Sequence, residues 1–380
     1  MADPFSAVTP AMLRRRTSVK WRTYPEDVLP AFVAEMDVDL AEPVRAALEE
    51  ALRLSDTGYP AGDGYAEALS AFAGRRWGWA FETAQTSPVA DVMTGVVEAL
   101  RLVTGRGDAV VVNPPVYFPF FGFVEHAGRR IVEAPLGPDG RIDFAVLEAA
   151  FRHAASAGSR AAYLLCNPHN PTGAVHTRAE LERIAQLAHG YGVRVVADEI
   201  HAPLVPAGAS FVPYLSVDDR GISLMSASKA WNLAGLKAAL MIGGVQAVDD
   251  VRRLPEHVAH GTSHFGTIAH TAALRHGEAW LDDLLVALDH NRRLLGELLS
   301  QQLPEVGYRA PEGTYLTWLD CRALAIEGEA ADFFLERGRI AFAPGRKFGT
   351  GGAGHVRGTI AASTESIADG VARMVAALTA

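Results

Sequence analysis

Five stretches of this chain are apolar almost without a break: "DAVVVNPP" from Asp108, "AAYLLCNP" from Ala161, "VRVVADEI" from Val193, "GISLMSAS" from Gly221 and "AALMIGG" from Ala238. A strand with one wet face alternates polar and apolar residues, whereas a strand covered on both faces does not. These runs therefore predict a sheet sandwiched between helices. Between the second and third runs, Thr177 and Glu180 fit a T-x-x-E capping box. Leu181, Ile184, Ala185 and Ala188 follow at helical spacing, and Gly190 and Gly192 close the helix. Strand, helix, strand is a crossover unit, so its two strands pair in parallel. The expected fold is α/β: a three-layer large domain with a mainly parallel, open sheet.

From Leu281 the pattern changes. "LDDLLVALDHNRRLLGELLSQQLP" reads as a long amphipathic helix stopped at Pro304, followed by short strand-like runs, "GTYLTWLDCR" and "RIAFAPG", and a final helix. This predicts a smaller α+β domain over 281–380.

A formal net charge of -9 argues against nucleic acid or an anionic membrane as partner, since both call for concentrated positive charge. The one basic cluster, "RRRTSVK" (Arg14 to Lys20), reads as a solvated or interface segment. Two cysteines, Cys166 and Cys321, make no disulfide framework and suggest a reducing compartment. The N-terminal charges precede no apolar core, and no apolar run nears the ~20 residues that span a bilayer. A cytoplasmic protein without membrane or nucleic-acid partners is expected.

In open α/β sheets, ligands sit beyond the carboxyl ends of the strands. Four segments there carry unusual chemistry. "NPHNPTG" (Asn167 to Gly173) is a turn stiffened by two prolines, and it projects the Asn170 amide. "ADEI" (Ala197 to Ile200) ends a buried strand on Asp198, a carboxylate that needs a cation or donor partner. "SASKAWNLAGLK" (Ser226 to Lys237) places Lys229 at the end of "GISLM" between small residues; alone it would be a surface lysine, but a desolvated amine is a nucleophile. "MTGVVEALRLV" opens a helix whose first N–H groups, at Thr94, Gly95 and Val96, could bind an anion. An acid, an amide, a lysine and an anion-binding helix start together meet the needs of pyridoxal phosphate. Lysine bonds the aldehyde, the acid keeps the ring nitrogen protonated, and Ser226, Ser228 and Lys237 join the helix start around the phosphate.

With these motifs, the chain resembles the fold-type I pyridoxal phosphate enzymes of the aspartate aminotransferase superfamily, and within them the cystathionine β-lyase / C–S lyase branch of the class I and II aminotransferases. "VLPAFVAEMDVDLAEPV", "GYPAGDGYAEAL", "NPPVYFPF", "NPHNPTG", "DEIHAPL", "SASKAWNLAGLK", "EGTYLTWLD", "APGRKFG" and "HVRGTIAAS" match in order along nearly the whole chain. The resemblance implies a pyridoxal 5′-phosphate cofactor. It makes Lys229 the covalent anchor and proton carrier, sets Asp198 on the pyridine nitrogen, Asn170 on the phenolic oxygen and Tyr117 on the ring face. Arg357 would hold the substrate α-carboxylate, with Asn170 beside it. Tyr59 would reach the phosphate of a neighbouring subunit, implying a homodimer with shared sites. Residues 1–45 would join 281–380 as the small domain, leaving 46–280 as the large cofactor-binding domain. Lys237 stands where many relatives have arginine. His201 stands where many aminotransferases have tyrosine, as is usual in the lyase branch. "MTGVV" lacks a proline common in relatives, and Gly358 and Thr359 replace larger residues.

The implied activity is β-elimination from L-cystathionine or cysteine S-conjugates, releasing thiol, pyruvate and ammonia. Transamination of an L-amino acid is the alternative with the same site residues. A dehydrogenase is disfavoured by the absence of G-x-G-x-x-G after the first strand; "GTGGAG" (Gly349 to Gly354) reads instead as a flexible loop near the substrate entrance. The histidines show no metal-ligand spacing, and no metal site is expected.

Overall fold

A computed structural model describes residues 3–156 and 159–379. Among these, the strands are β1 (Leu29–Pro30), β2 (Thr86–Val89), β3 (Ala109–Val112), β4 (Arg130–Glu133), β5 (Ala161–Cys166), β6 (Val193–Asp198), β7 (Ile222–Met225), β8 (Ala239–Gly243), β9 (Gly307–Tyr308), β10 (Leu316–Asp320), β11 (Ile340–Ala341), β12 (Ala343–Pro344) and β13 (His355–Thr359). Seven of them form one sheet in the order β2-β8-β7-β6-β5-β3-β4. The five apolar runs are β3, β5, β6, β7 and β8. Pairing is parallel from β4 through β7, whereas β8 is antiparallel to both β7 and β2.

The apolar runs are explained by cover on both faces. Along β5, Ala161, Tyr163 and Leu165 enter one hydrophobic cluster, while Ala162, Leu164 and Cys166 enter the other. The period-two alternation of a strand thus serves two cores instead of one core and water. Strands β2 and β4 escaped the sequence reading because they lie at the sheet edges and are only partly buried. The crossover helix runs from Arg178 to Tyr191 with the Thr177–Glu180 capping box in place. Gly192 closes it at φ +69, while Gly190 lies inside the helix.

The four-stranded sheet, in the order β12-β13-β10-β9, is antiparallel. The long helix begins at Glu278, three residues before the apolar pattern, and ends at Gln302. Strand β1 pairs in parallel with β11. The chain after β1 crosses back to the large sheet, where the Asn232 side chain accepts from the Met36 N–H and donates to its carbonyl. The basic cluster binds this segment and is not a solvated patch. Arg16 donates to Val38 O at 2.7 Å, and buried Lys20 pairs with Asp37 at 2.7 Å.

The "NPHNPTG" turn is tied to the segment before β10. Arg141 bridges Glu180 at 2.8 Å and Glu312 at 3.0 Å, and Gly313 N–H donates to Gly173 O at 2.9 Å. Gly173 sits at φ +74, and a Cβ there would run into the Pro311 ring. Gly173→Ala is therefore expected to lower stability by about 1–3 kcal/mol, seen as a lower midpoint of thermal unfolding. An unchanged midpoint would show that the two segments are not locked in this way.

Candidate active site

At the carboxyl ends of the central strands lies a cavity of about 650 Å³. It collects Tyr117, Asn170, Asp198, His201, Ser226, Ser228, Lys229, Lys237 and Arg357 from distant parts of the sequence. The sheet register does much of this. Asp198 is the last residue of β6, opposite Cys166 on β5 and Leu224 on β7, so the chain leaves the sheet there with the carboxylate at the floor of the cavity.

The Asp198 carboxylate is buried, and its hydrogen bond among the described residues comes from Ile200 N–H at 3.1 Å. Burial raises its pKa to about 6, against the pull of that N–H and of Lys229. Such a carboxylate is short of a partner and suits a cationic N–H placed in the cavity. Lys229 follows β7 and donates from Nζ to Ala34 O at 3.1 Å. Burial, with help from the Arg357 charge, brings its amine down to about 8 from an ordinary 10.5. A minor fraction, far larger than for an ordinary lysine, is therefore neutral and nucleophilic near physiological pH.

Arg357, on β13, is buried. It donates to Phe32 O at 2.7 Å and reaches Asn170 Oδ1 at 3.4 Å, while its Nε has no partner. Burial lowers it to about 10, so it stays charged at neutral pH. Two backbone carbonyls of the N-terminal segment, Phe32 and Ala34, thus stand on the two cations that an amino-acid ligand would approach. His201 is buried with Nδ1 unpartnered, and burial together with Lys229 and Arg357 lowers it to about 3. It is a neutral imidazole. Tyr117 is pushed up to about 12 by burial and by Asp198, and stays a phenol.

The helix start differs from the sequence reading. The helix spans Val92–Val103, and its N-cap is Asp91. The Asp91 carboxylate takes the Thr94 N–H at 2.8 Å, and its carbonyl takes the Gly95 N–H at 2.9 Å. Thr94, Gly95 and Val96 do not line the cavity; Val92 and Met93 do, and the first N–H groups of a helix lack partners within it. Gly95 serves packing instead, since a Cβ there would sit 2.5 Å from Leu224 Cδ1. Lys237 meets Asp91 at 2.8 Å, placing a cation beside this helix start with Ser226 and Ser228 nearby.

One further expectation changes. The "GTGGAG" loop is packed: a Cβ at Gly349 would sit 2.6 Å from Phe121 and 2.9 Å from Pro114, and Thr350 donates to Glu133. Gly358 faces Thr317 and Phe342, so its small size serves the join between β10 and β13. Tyr59 lies outside the cavity, 84% exposed in a separate surface pocket with His260.

Sequence reasoning missed several residues of the site. Asp91 is a legible helix cap, an acid three residues before Thr94. Tyr24 and Phe32, packed edge to face at 5.2 Å, wall the cavity from the N-terminal segment, and Lys347 lies at its mouth. No local pattern marks these, because their place depends on tertiary packing.

Residues 33–374 match the model of aminotransferase class I and II, and the chain belongs to that family. A Mycobacterium leprae protein whose name includes "cystathionine beta-lyase" is 53% identical over 396 residues, covering 99% of this chain and 98% of its own. "Cystathionine beta-lyase PatB" of Bacillus subtilis is 34% identical over 381 residues, covering 95% and 96%. The crystal structure of the PLP-bound C–S lyase from Staphylococcus hominis superposes with a TM-score of 0.90 at 27% identity, covering 96% of this chain and 97% of that one.

The lowered pKa of Lys229 has a direct readout. Pulse labelling of the cofactor-free protein with an amine-acylating reagent should show modification of the Lys229 peptide rising with a midpoint near pH 8. Modification that rises only towards pH 10.5 would mean the amine is not desolvated.

Proposed function

We propose that this chain is a pyridoxal 5′-phosphate-dependent C–S β-lyase acting on L-cystathionine or related cysteine S-conjugates. The observation that carries the reading is one cavity holding a desolvated amine at Lys229, a partner-seeking carboxylate at Asp198 and a buried guanidinium at Arg357. Support comes from relatives whose names include cystathionine beta-lyase and from the fold shared with a PLP-bound C–S lyase.

The residues fit the cofactor. Asp198 offers a buried carboxylate for a ring N–H, and Asn170 a side-chain amide for the phenolic oxygen. The unpartnered His201 Nδ1 and Arg357 Nε are further buried polar atoms without a protein partner. Tyr117 presents its ring to the cavity. Val92 and Met93 N–H groups, Ser226, Ser228 and Lys237 would hold the phosphate. Lys237 acts there as a point charge oriented by Asp91, in place of a guanidinium fork.

When bound, the cofactor supplies an electron sink next to the substrate Cα, so that Cα can lose a proton and Cβ a thiolate. The protein residues direct that chemistry. Arg357 takes the substrate α-carboxylate by a charge-assisted contact and fixes which Cα bond faces the ring. Lys229, as a neutral amine, accepts the Cα proton. Asp198, ionised beside a cation, keeps a proton on the ring nitrogen throughout. The apolar wall of Tyr24 and Phe32 keeps water from the reacting atoms. Loss of the thiolate leaves an enamine, whose hydrolysis gives pyruvate and ammonia.

The same reading makes the enzyme a homodimer in which Tyr59, exposed in a single chain, is lent to the neighbouring site. It also places the enzyme in the cytoplasm, in keeping with two buried, unpaired cysteines. No described helix is long and apolar enough to cross a membrane.

The reading is tested by measuring pyruvate from L-cystathionine and S-alkyl cysteines. The wild-type chain should release it, and Lys229→Ala should lower turnover by about 10²–10⁴-fold, as expected for loss of a positioned base. Turnover that survives Lys229→Ala, or no pyruvate from any of these substrates with the cofactor bound, would reject it.

A further inference from the structure

Only four of the 35 lysine and arginine residues are lysines: Lys20, Lys229, Lys237 and Lys347. The surface is instead charged with arginine, as in the exposed pairs of Arg45 with Glu42 and Glu49 and of Arg152 with Glu148. Lys20 is buried against Asp37 at 2.7 Å. The other three lysines all line one cavity. In a chain that covers its surface with arginine, a lysine at that cavity is not explained as general surface charge.

Two of the three are accounted for, Lys229 by its lowered amine and Lys237 by its pair with Asp91. Lys347 has no acidic partner among the described residues. Its backbone is firmly placed. It belongs to the short 3-10 turn Gly345–Phe348. Phe348 is fully buried, packed against Trp318 at 5.2 Å and Phe118 at 5.5 Å, and Val116 N–H donates to its carbonyl at 2.9 Å. Lys347 itself is exposed, with its neighbour Arg346 drawn off to Glu329 at 3.2 Å. A rigid turn thus presents one flexible amine at the cavity mouth.

The charges along the cavity decide what that amine can meet. Its lining acids are Asp91, held by Lys237 and the Thr94 N–H, and Asp198 on the floor. Arg357 is the deep cation suited to an α-carboxylate. For the rest of an amino-acid ligand the described lining offers apolar walls, among them Val19, Tyr24, Phe32 and Phe123, one free cation and no free acid.

We propose that Lys347 is a specificity-determining residue that binds a carboxylate at the far end of the sulfur substituent. The favoured substrates are then cysteine S-conjugates with an apolar spacer and a terminal carboxylate, and a second ammonium group gains nothing. This rests on the β-lyase reading above and adds the class of leaving thiol.

The test uses the holoenzyme and two near-isosteric substrates, S-(2-carboxyethyl)-L-cysteine and S-propyl-L-cysteine. Wild type should favour the first in kcat/KM, read as pyruvate release. Lys347→Met should cut that ratio by about five-fold, the upper end for an ion pair with an exposed member, through KM of the carboxylate substrate, and Lys347→Glu should cut it further. A merely structural role would lower both substrates alike and leave the ratio in place, and an unchanged ratio in both variants overturns the proposal. Dissociation constants for the same two compounds, read from the change in cofactor absorbance on binding, give the ratio independently of turnover. Binding of both compounds without pyruvate would reject elimination, while the same ratio in wild type and variants would still decide the role of Lys347.

Discussion

Desolvation at the ends of β6 and β7 is the constraint on which the site depends. The same two-sided cover that makes the strands apolar also removes water from whatever follows them. Asp198 closes β6 and Lys229 follows β7. Burial moves the two groups in opposite directions, the acid up to about 6 and the amine down to about 8, so both approach neutrality together. Neither is satisfied by the chain itself: Asp198 has one backbone donor and Lys229 one backbone carbonyl. A folded protein that leaves an acid and an amine this poorly partnered in a shared cavity is prepared for a ligand that carries the missing groups.

The second constraint is the route of the N-terminal segment. It pairs with β11 through β1, passes over the cavity with its carbonyls on Arg357 and Lys229, and is then clamped by Asn232, Lys20 and Arg16. One strap therefore builds the apolar wall for substrate and covers the cations that substrate needs. Arg357 reaches the same place from β13, which is joined to the large sheet through the turn Gly345–Phe348 packed under "NPPVYFPF". The active site is a contact between segments far apart in sequence, with the floor on one sheet and the substrate clamp on the other.

This division explains what could be read in the sequence. The five central strands announce themselves because cover on both faces leaves an unbroken apolar run, and the crossover helix because its capping box is a local device. Asp198, Lys229 and Asn170 stand out since each is a polar residue that closes such a run. Edge strands β2 and β4 carry no comparable signal, being half wet. The helix begins two residues before the point its sequence suggests: Gly95 packs on Leu224, and the cap is the acid at Asp91. The role of "RRRTSVK" could not be read, because arginines and a lysine that bind backbone carbonyls and Asp37 look the same in sequence as ones that face solvent. Tyr24, Phe32 and Lys347 gain meaning only when the strap and the turn close over the sheet.

Lys229 is the amine expected to react with the cofactor aldehyde. Borohydride reduction of the protein after addition of pyridoxal 5′-phosphate, followed by peptide mapping, tests it without any assumption about substrate. The account predicts one stable pyridoxyl adduct, on the peptide containing Lys229. Adducts only at Lys237 or Lys347, or none at all, would contradict it.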